Sequence, residues 1–209
     1  MNQDSFLVDN SLNLYAVADG VGGGLRGEEA SKMAVEGLRS EYKPHDLLKP
    51  VIEKLAARVL MEALQSCNGQ ALMGTTLTAV QVTDNLLHLC HVGDSRAYLF
   101  DGSALRQLTE DHEFFDENVN GPVLASYLGL DTRVHPLTVL EETIEVQAGQ
   151  RVLLCSDGLY KQISEVQIVE MIHQHGQEPQ KLLEVLCAEA AKAEYSDNIT
   201  IVYLVLEAN

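Results

Sequence analysis

Apolar and polar positions alternate along this chain with two different periods, and the switches between them outline its elements. The run at 5–8 reads as a short strand, Asp9, Asn10 and Ser11 form a turn, and 12–18 reads as the returning strand. Antiparallel pairing of these two brings Asp4 and Asp19 to the same end. From 27 to about 42 the period becomes helical. Ala30, Met33, Ala34, Gly37 and Leu38 share one face, and Glu28 and Glu29 stand in the first turn, where the helix dipole favours carboxylates. Pro44 breaks the pattern, and a second helix is predicted over 46–66 from Leu47, Leu48, Val51, Ile52, Leu55, Val59, Leu60 and Leu64.

The two-residue period then returns. Strands are predicted at 75–83, 86–92, 96–100 and 104–108, with turns at Asp84-Asn85, Gly93-Asp94-Ser95 and Asp101-Gly102. This succession implies an antiparallel meander rather than a parallel sheet with crossover helices. His88 and His91 lie three apart on one strand, hence on opposite faces, one at the surface and one buried and hydrogen-bonded. The stretch 109–142 has no regular pattern, and a segment of that length is either a functional flap or a plain surface connection. Strands at 143–146 and 151–155 flank the Ala148-Gly149-Gln150 turn. Ser164-x-x-Gln167 is a capping box that opens a helix to about 175. Leu182, Leu183, Leu186, Ala190 and Ala193 mark another helix after Pro179, and 199–206 is β-rich and suited to a central strand.

A length of 209 residues fits a single domain over 1–209. The net charge of −17, from 14 basic and 31 acidic residues, disfavours nucleic acid and anionic membrane surfaces as partners. Cys67, Cys90, Cys155 and Cys187 form no Cys-x-x-Cys pair, so zinc is not expected. Cys90 and Cys155 fall inside apolar strand patterns, as core thiols of a reducing compartment do. The opening Met1-Asn2-Gln3-Asp4 is not a signal peptide, and the apolar runs are too short for a membrane span, so a cytoplasmic location is expected.

One chemical device recurs against this background. The apolar run Tyr15-Ala16-Val17-Ala18 delivers Asp19 into the glycine cluster Gly20, Gly22, Gly23 and Gly24. Apolar strands also meet a polar turn at Asp94, at Asp157 and at Asp197. An isolated Asp-Gly is ordinary turn chemistry. Several such acids converging in one cleft would repel one another, and bound cations would make them tolerable. Carboxylates and bare carbonyls are hard oxygen donors suited to Mg²⁺ or Mn²⁺. The chemistry this pattern predicts is a two-metal site that activates water and screens an incoming anion. No Gly-x-Ser-x-Gly, Cys-x5-Arg, Walker loop or His-Glu-x-x-His motif competes with it.

These acids sit inside ordered motifs: Asn2-Gln3-Asp4, Ala18-Asp19-Gly20-Val21-Gly22-Gly23, Gly74-Thr75-Thr76, Val92-Gly93-Asp94-Ser95-Arg96, Leu108-Thr109-x-Asp111-His112, Cys155-Ser156-Asp157-Gly158-Leu159 and Ser196-Asp197-Asn198-Ile199-Thr200. In this order they resemble the metal-dependent type 2C serine/threonine protein phosphatases, in their compact bacterial branch. The resemblance implies an α+β fold, a central β-sandwich of two antiparallel sheets flanked by helix pairs. It implies that Asp19 bridges two Mn²⁺ or Mg²⁺ ions, with the Gly20 carbonyl on one and Asp4 near it through water. Asp157 and Asp197 would hold the other ion, and Asp94 with Asp157 a weaker third. The implied reaction is hydrolysis of phosphoserine and phosphothreonine in proteins by a metal-bridging water, without a phosphoenzyme, with Asp19, Asp157 and Asp197 as the catalytic acids. The implied partner is a phosphorylated protein, the substrate of a serine/threonine kinase, and the expected state is a monomer. Asn198 fits either an orienting role or a turn amide, and Arg96 fits a buried ion pair.

Three departures from the family pattern stand out. The Arg that clamps the substrate phosphate should precede Asn2 by three residues, and the sequence starts too late to contain it. A first N-terminal strand is expected to be missing with it, and Arg26 is the candidate substitute for substrate binding. Val21 and Gly24 stand where many members carry a His, and the 109–142 flap is short. The alternative function is therefore a pseudophosphatase, a binding module on the same fold.

Overall fold

The computed structural model describes residues 2–21, 26–44, 46–193 and 197–207. The glycines at 22–24 and Ser196, both singled out by the sequence, lie outside the described residues.

Strands β1 (Asp4–Asp9), β2 (Leu14–Asp19), β3 (Leu77–Thr83), β4 (Leu86–Val92) and β9 (Leu140–Glu145) form one antiparallel sheet in the order β1-β2-β3-β4-β9. Strands β5 (Arg96–Phe100), β6 (Leu105–Gln107), β10 (Arg151–Cys155) and β11 (Ile201–Val205) form a second sheet in the order β11-β10-β5-β6. A separate hairpin pairs β7 (Glu113–Asp116) with β8 (Gly121–Leu124) inside the irregular segment. Among the described residues, five helices complete the fold: α1 (Gly27–Glu41), α2 (Leu48–Ser66), α3 (Asp157–Tyr160), α4 (Glu165–His175) and α5 (Pro179–Ala190). The mixture of helices and antiparallel sheets is the expected α+β architecture.

Strand periodicity explains the layering. Successive side chains point to opposite faces, so β2 sends Ala16 and Ala18 one way and Val17 the other. Ala16 and Ala18 pack with Ala30, Leu38, Ile52 and Leu55 of α1 and α2. Val17 meets Val80, Leu89, Leu99, Val152 and Leu154 between the two sheets. On β10, Val152 and Leu154 join that inner layer, while Leu153 and Cys155 turn outward to Ile168, Ile172, Leu182 and Leu186 of α4 and α5. The result is helices, sheet, sheet, helices. Each fully buried leucine in these layers contributes about 1.5–3 kcal/mol of transfer free energy.

Two topological expectations change. The strands of the meander do not share one sheet, because the chain crosses between sheets at Gly93-Asp94-Ser95, after β4 and before β5. Gly93 makes that crossing with φ +114°, and a Cβ there would lie 2.6 Å from Thr76 Cβ. The turn at 148–150 is likewise a crossing, from β9 to β10. Second, β11 is an edge strand, not a central one. Its apolar run is continuous because both faces are covered: Val202 lies in the inner layer, and Ile201 and Tyr203 lie against the α4–α5 cluster. Burial on two faces looks the same in sequence whether or not a neighbour stands on each side. The capping box forms as expected, with the Ser164 hydroxyl accepting from Gln167 N–H and Gln167 Oε1 accepting from Ser164 N–H at 3.0 Å.

Candidate active site

The acids are gathered by register. Asp4 opens β1 and Asp19 closes β2, and the two are cross-strand partners. Cys155 pairs with both Arg96 and Ile201, so Asp94, Asp157 and Asp197 project from the corresponding end of the second sheet. Five carboxylates thus come from five chain segments to one end of the sandwich.

The surrounding motif residues fix the backbone that carries them. Asp19 N–H donates to Thr76 Oγ1 at 2.9 Å, and its carbonyl accepts from Thr76 N–H at 2.8 Å and Thr75 Oγ1 at 2.9 Å. The Gly74-Thr75-Thr76 motif is therefore a clamp on Asp19. Gly20 lies against Gly27 so closely that a Cβ on it would be 2.4 Å from the Gly27 carbonyl. The Asp94 crossing is held by Tyr160, whose hydroxyl donates to the Asp94 carbonyl at 3.0 Å, and by His112, whose N–H donates to the Gly93 carbonyl at 2.8 Å. Ser156 donates its hydroxyl to Asp4 Oδ2 at 2.7 Å and accepts Thr200 N–H at 3.0 Å, tying β1, β10 and β11 together. Asn198 Oδ1 accepts from Gln3 N–H at 2.7 Å, so its side chain links the Asp197 segment to the start of β1.

Arg96 makes the expected ion pair. Its guanidinium grips both oxygens of Asp111 at 2.7–3.2 Å and lies 3.7 Å from the centroid of the Tyr160 ring. His91 is fully buried between Thr78 and the Glu110 carbonyl, while His88 is only partly covered and meets Thr143 at 3.1 Å. Burial, with His112 beside it, pushes the His91 imidazole down to about 3, so it is a neutral structural group. Arg26 sits at the N-cap of α1 with φ 72°, and its guanidinium is engaged by Glu29 and lies 3.6 Å from Glu62.

The electrostatics of the acid end are unfavourable as they stand. Burial, then the charges of Asp4, Asp157, Asp94 and Asp197, lift the Asp19 carboxyl to about 9. Burial raises Asp4 as well, against hydrogen bonds that act to lower it. Asp94 rises to about 7 through burial and the neighbouring Asp157 and Glu113, offset in part by Lys161. Asp157 Oδ1 is buried and has no hydrogen-bond partner among the described residues. An orphaned carboxylate oxygen costs about 1–3 kcal/mol or more. Hard oxygen donors, mutual repulsion and an orphaned oxygen together fit divalent cations. The side chains do not yet close into a cage: among the described residues, no three of His, Cys, Asp and Glu are grouped to hold an ion.

Sequence reasoning missed three participants. Glu113, in the hairpin of the irregular segment, reaches Asp94. Tyr160 supports both Asp94 and Arg96. Lys161 places Nζ 2.8 Å from Asp157 Oδ2 and 3.5 Å from Asp94 Oδ2. The only available signal for the last two was their place just after Asp157-Gly158, and the sequence did not reveal that 157–160 forms a helical turn.

A sandwich of this layering with acids collected at one end defines a class of protein, and comparison with known proteins places the chain within it. The family model described as protein phosphatase 2C matches residues 1–194. The serine/threonine phosphatase stp of Listeria monocytogenes serovar 1/2a is 31% identical over 214 residues, which cover 90% of this chain and 82% of that protein. Among solved structures, PppA of Pseudomonas aeruginosa, described as a key regulatory component of its T6SS, is 27% identical with a TM-score of 0.83, covering 99% of this chain and 92% of that one. The catalytic domain of the serine/threonine protein phosphatase PstP, in complex with two manganese ions, is 28% identical with a TM-score of 0.76, covering 99% and 93%. The chain belongs to the protein phosphatase 2C family, in its bacterial form. No helix among the described residues is long and apolar enough to cross a membrane.

Proposed function

We propose that this protein hydrolyses phosphoserine and phosphothreonine in proteins with Mn²⁺ or Mg²⁺, opposing a serine/threonine kinase. The observation that carries the reading is the buried Oδ1 of Asp157, without a hydrogen-bond partner among the described residues, beside an Asp19 carboxyl whose pKa is pushed up to about 9 by burial and then by four other acids. The naming of relatives as serine/threonine phosphatases supports the substrate class, and the manganese in PstP supports the cofactor.

Asp19, Asp157 and Asp197, with the Gly20 carbonyl and with Asp4 nearby, would hold two ions. Ions bound there would ready a water molecule for in-line attack on phosphorus and screen the charge of the phosphate. The chain's part is to hold the acids in register before substrate arrives. Thr75 and Thr76 fix the Asp19 backbone, Ser156 fixes Asp4, and Asn198 fixes the approach to Asp197. Arg26 reaches a substrate phosphate only by leaving Glu29 and Glu62, so it is the substrate-binding candidate that needs rearrangement.

The test is turnover of p-nitrophenyl phosphate and of a phosphoserine and phosphothreonine peptide panel, with Mn²⁺, with Mg²⁺ and with EDTA. Metal-dependent turnover abolished by EDTA is the expected result. Absence of turnover under every metal condition would instead favour the binding-module reading.

A further inference from the structure

Lys161 stands out once the acid end is described. Its backbone N–H donates to the Asp157 carbonyl at 3.0 Å, so the residue is fixed one turn beyond that acid. From there the side chain runs back to the carboxylates. Nζ lies 2.8 Å from Asp157 Oδ2, 3.5 Å from Asp94 Oδ2 and 4.0 Å from Glu113 Oε1. The Tyr160 ring flanks it, with its centroid 5.9 Å away.

The family resemblance puts a third, weaker ion on Asp94 and Asp157. Such an ion, if Mg²⁺, would need both carboxylates at about 2.0–2.1 Å. It cannot share that space with an ammonium already in contact with the same two oxygens, and like charges so close would repel. An ammonium is a permanent single charge with three donors, it needs no supply of metal, and it dissociates from nothing.

We propose that Lys161 is a built-in cation occupying the place of a third metal ion, so that this protein binds two divalent ions and no more. The inference rests on the two-metal reading above. It also divides the two oxygens of Asp157: Oδ2 belongs to Lys161, and the unpartnered Oδ1 is left for the ion pair shared with Asp19. Lys161 is thus a positioning residue, fixing which face of Asp157 the ions meet.

The experiment counts ions. Calorimetric titration of metal-free protein with Mn²⁺, checked by electron paramagnetic resonance of free Mn²⁺, gives the stoichiometry directly and without turnover. Two ions are expected in the unaltered protein, and three in Lys161→Asp, the third binding more weakly than the others. Lys161→Ala, which opens the space without adding a ligand, is expected to gain a third ion as well, and serves if the first variant does not fold by circular dichroism. Turnover of these variants should acquire a second, higher-concentration phase in its Mn²⁺ dependence, a change that a merely structural lysine would not produce. Three ions in the unaltered protein, or two in the folded variants, overturn the proposal and leave the two-metal reading intact. No bound ions in any of the proteins would overturn both.

Discussion

Two Asp-Gly pairs, Asp19-Gly20 and Asp101-Gly102, each end an apolar strand, and they behave in opposite ways. Asp101 caps its own turn: its Oδ1 accepts from Ser103 N–H, Ala104 N–H and Ser103 Oγ, each at 2.8 Å. Those donors, the Ala104 and Ser103 N–H groups first, hold its carboxyl down to about 2. Asp19 has burial and four acids around it and rises to about 9. The backbone donors near Asp19 are directed elsewhere, to Thr76 and to Gln3. A carboxylate whose charge is satisfied locally is a turn residue. One whose charge is left unsatisfied by its own segment needs something from outside the chain.

The largest expected effect tests that distinction directly. Asp19→Asn and Asp157→Asn should each lower metal-dependent turnover by at least about a hundredfold. Asp101→Asn keeps the acceptor oxygen at an exposed turn and should stay within about twofold of the unaltered protein. Equal losses at 19 and 101 would erase the contrast.

A second test acts on packing at the same end. A Cβ on Gly158 would lie 2.0 Å from the Asn198 carbonyl, so Gly158→Ala must push the Asp197 segment away from Asp157. Urea denaturation should show a loss of about 1–3 kcal/mol, as overpacking does, with reduced turnover. Unchanged stability and turnover would mean the two segments do not need this approach.

The pH dependence of metal-free stability gives a smaller but sharper contrast, because the two acids carry opposite signs. Asp19 goes from 3.8 when unfolded to about 9 when folded, so the folded state holds the extra proton between those values. Its contribution is fully present below pH 3.8 and is lost as pH rises toward 9. Asp101 goes from 3.8 down to about 2, so its contribution is present above 3.8 and is lost as pH falls through 2. Thermal melts of EDTA-treated protein from pH 5 to 9 should therefore flatten in Asp19→Asn, whose melting temperature should exceed that of the unaltered protein at pH 8. Manganese should reverse that order. The smallest effect belongs to Asp101→Ala, which should lower the melting temperature by no more than about 4 °C at pH 7 and leave turnover in place.

Much of the fold was legible because burial writes itself into sequence at fixed periods. Helix α1, strands β4, β5 and β10, and the Ser164 capping box fall at or near the predicted positions. The Asp4–Asp19 pairing also follows from a hairpin read directly off the chain. Sheet membership was not legible. β4 and β5 are separated by three residues, yet belong to different sheets, because a tight crossing and a tight hairpin use the same turn residues. Edge position was hidden at β11 for a related reason: apolar pattern reports covered faces, not neighbouring strands.

The sequence by itself determined most of the helices and strands, the strand ends and the set of acids that stand at those ends, since local periodicity and turn chemistry are properties of adjacent residues. Tertiary structure alone decided which acids are brought together and left stranded. It set Asp19 among four charges and brought Lys161 to Asp94 as well as to Asp157, whereas the donors to Asp101 come from its own turn. Charge acts through space, and the separation between Asp4 and Asp197 along the chain says nothing of their distance once β1 and β11 bring their ends together.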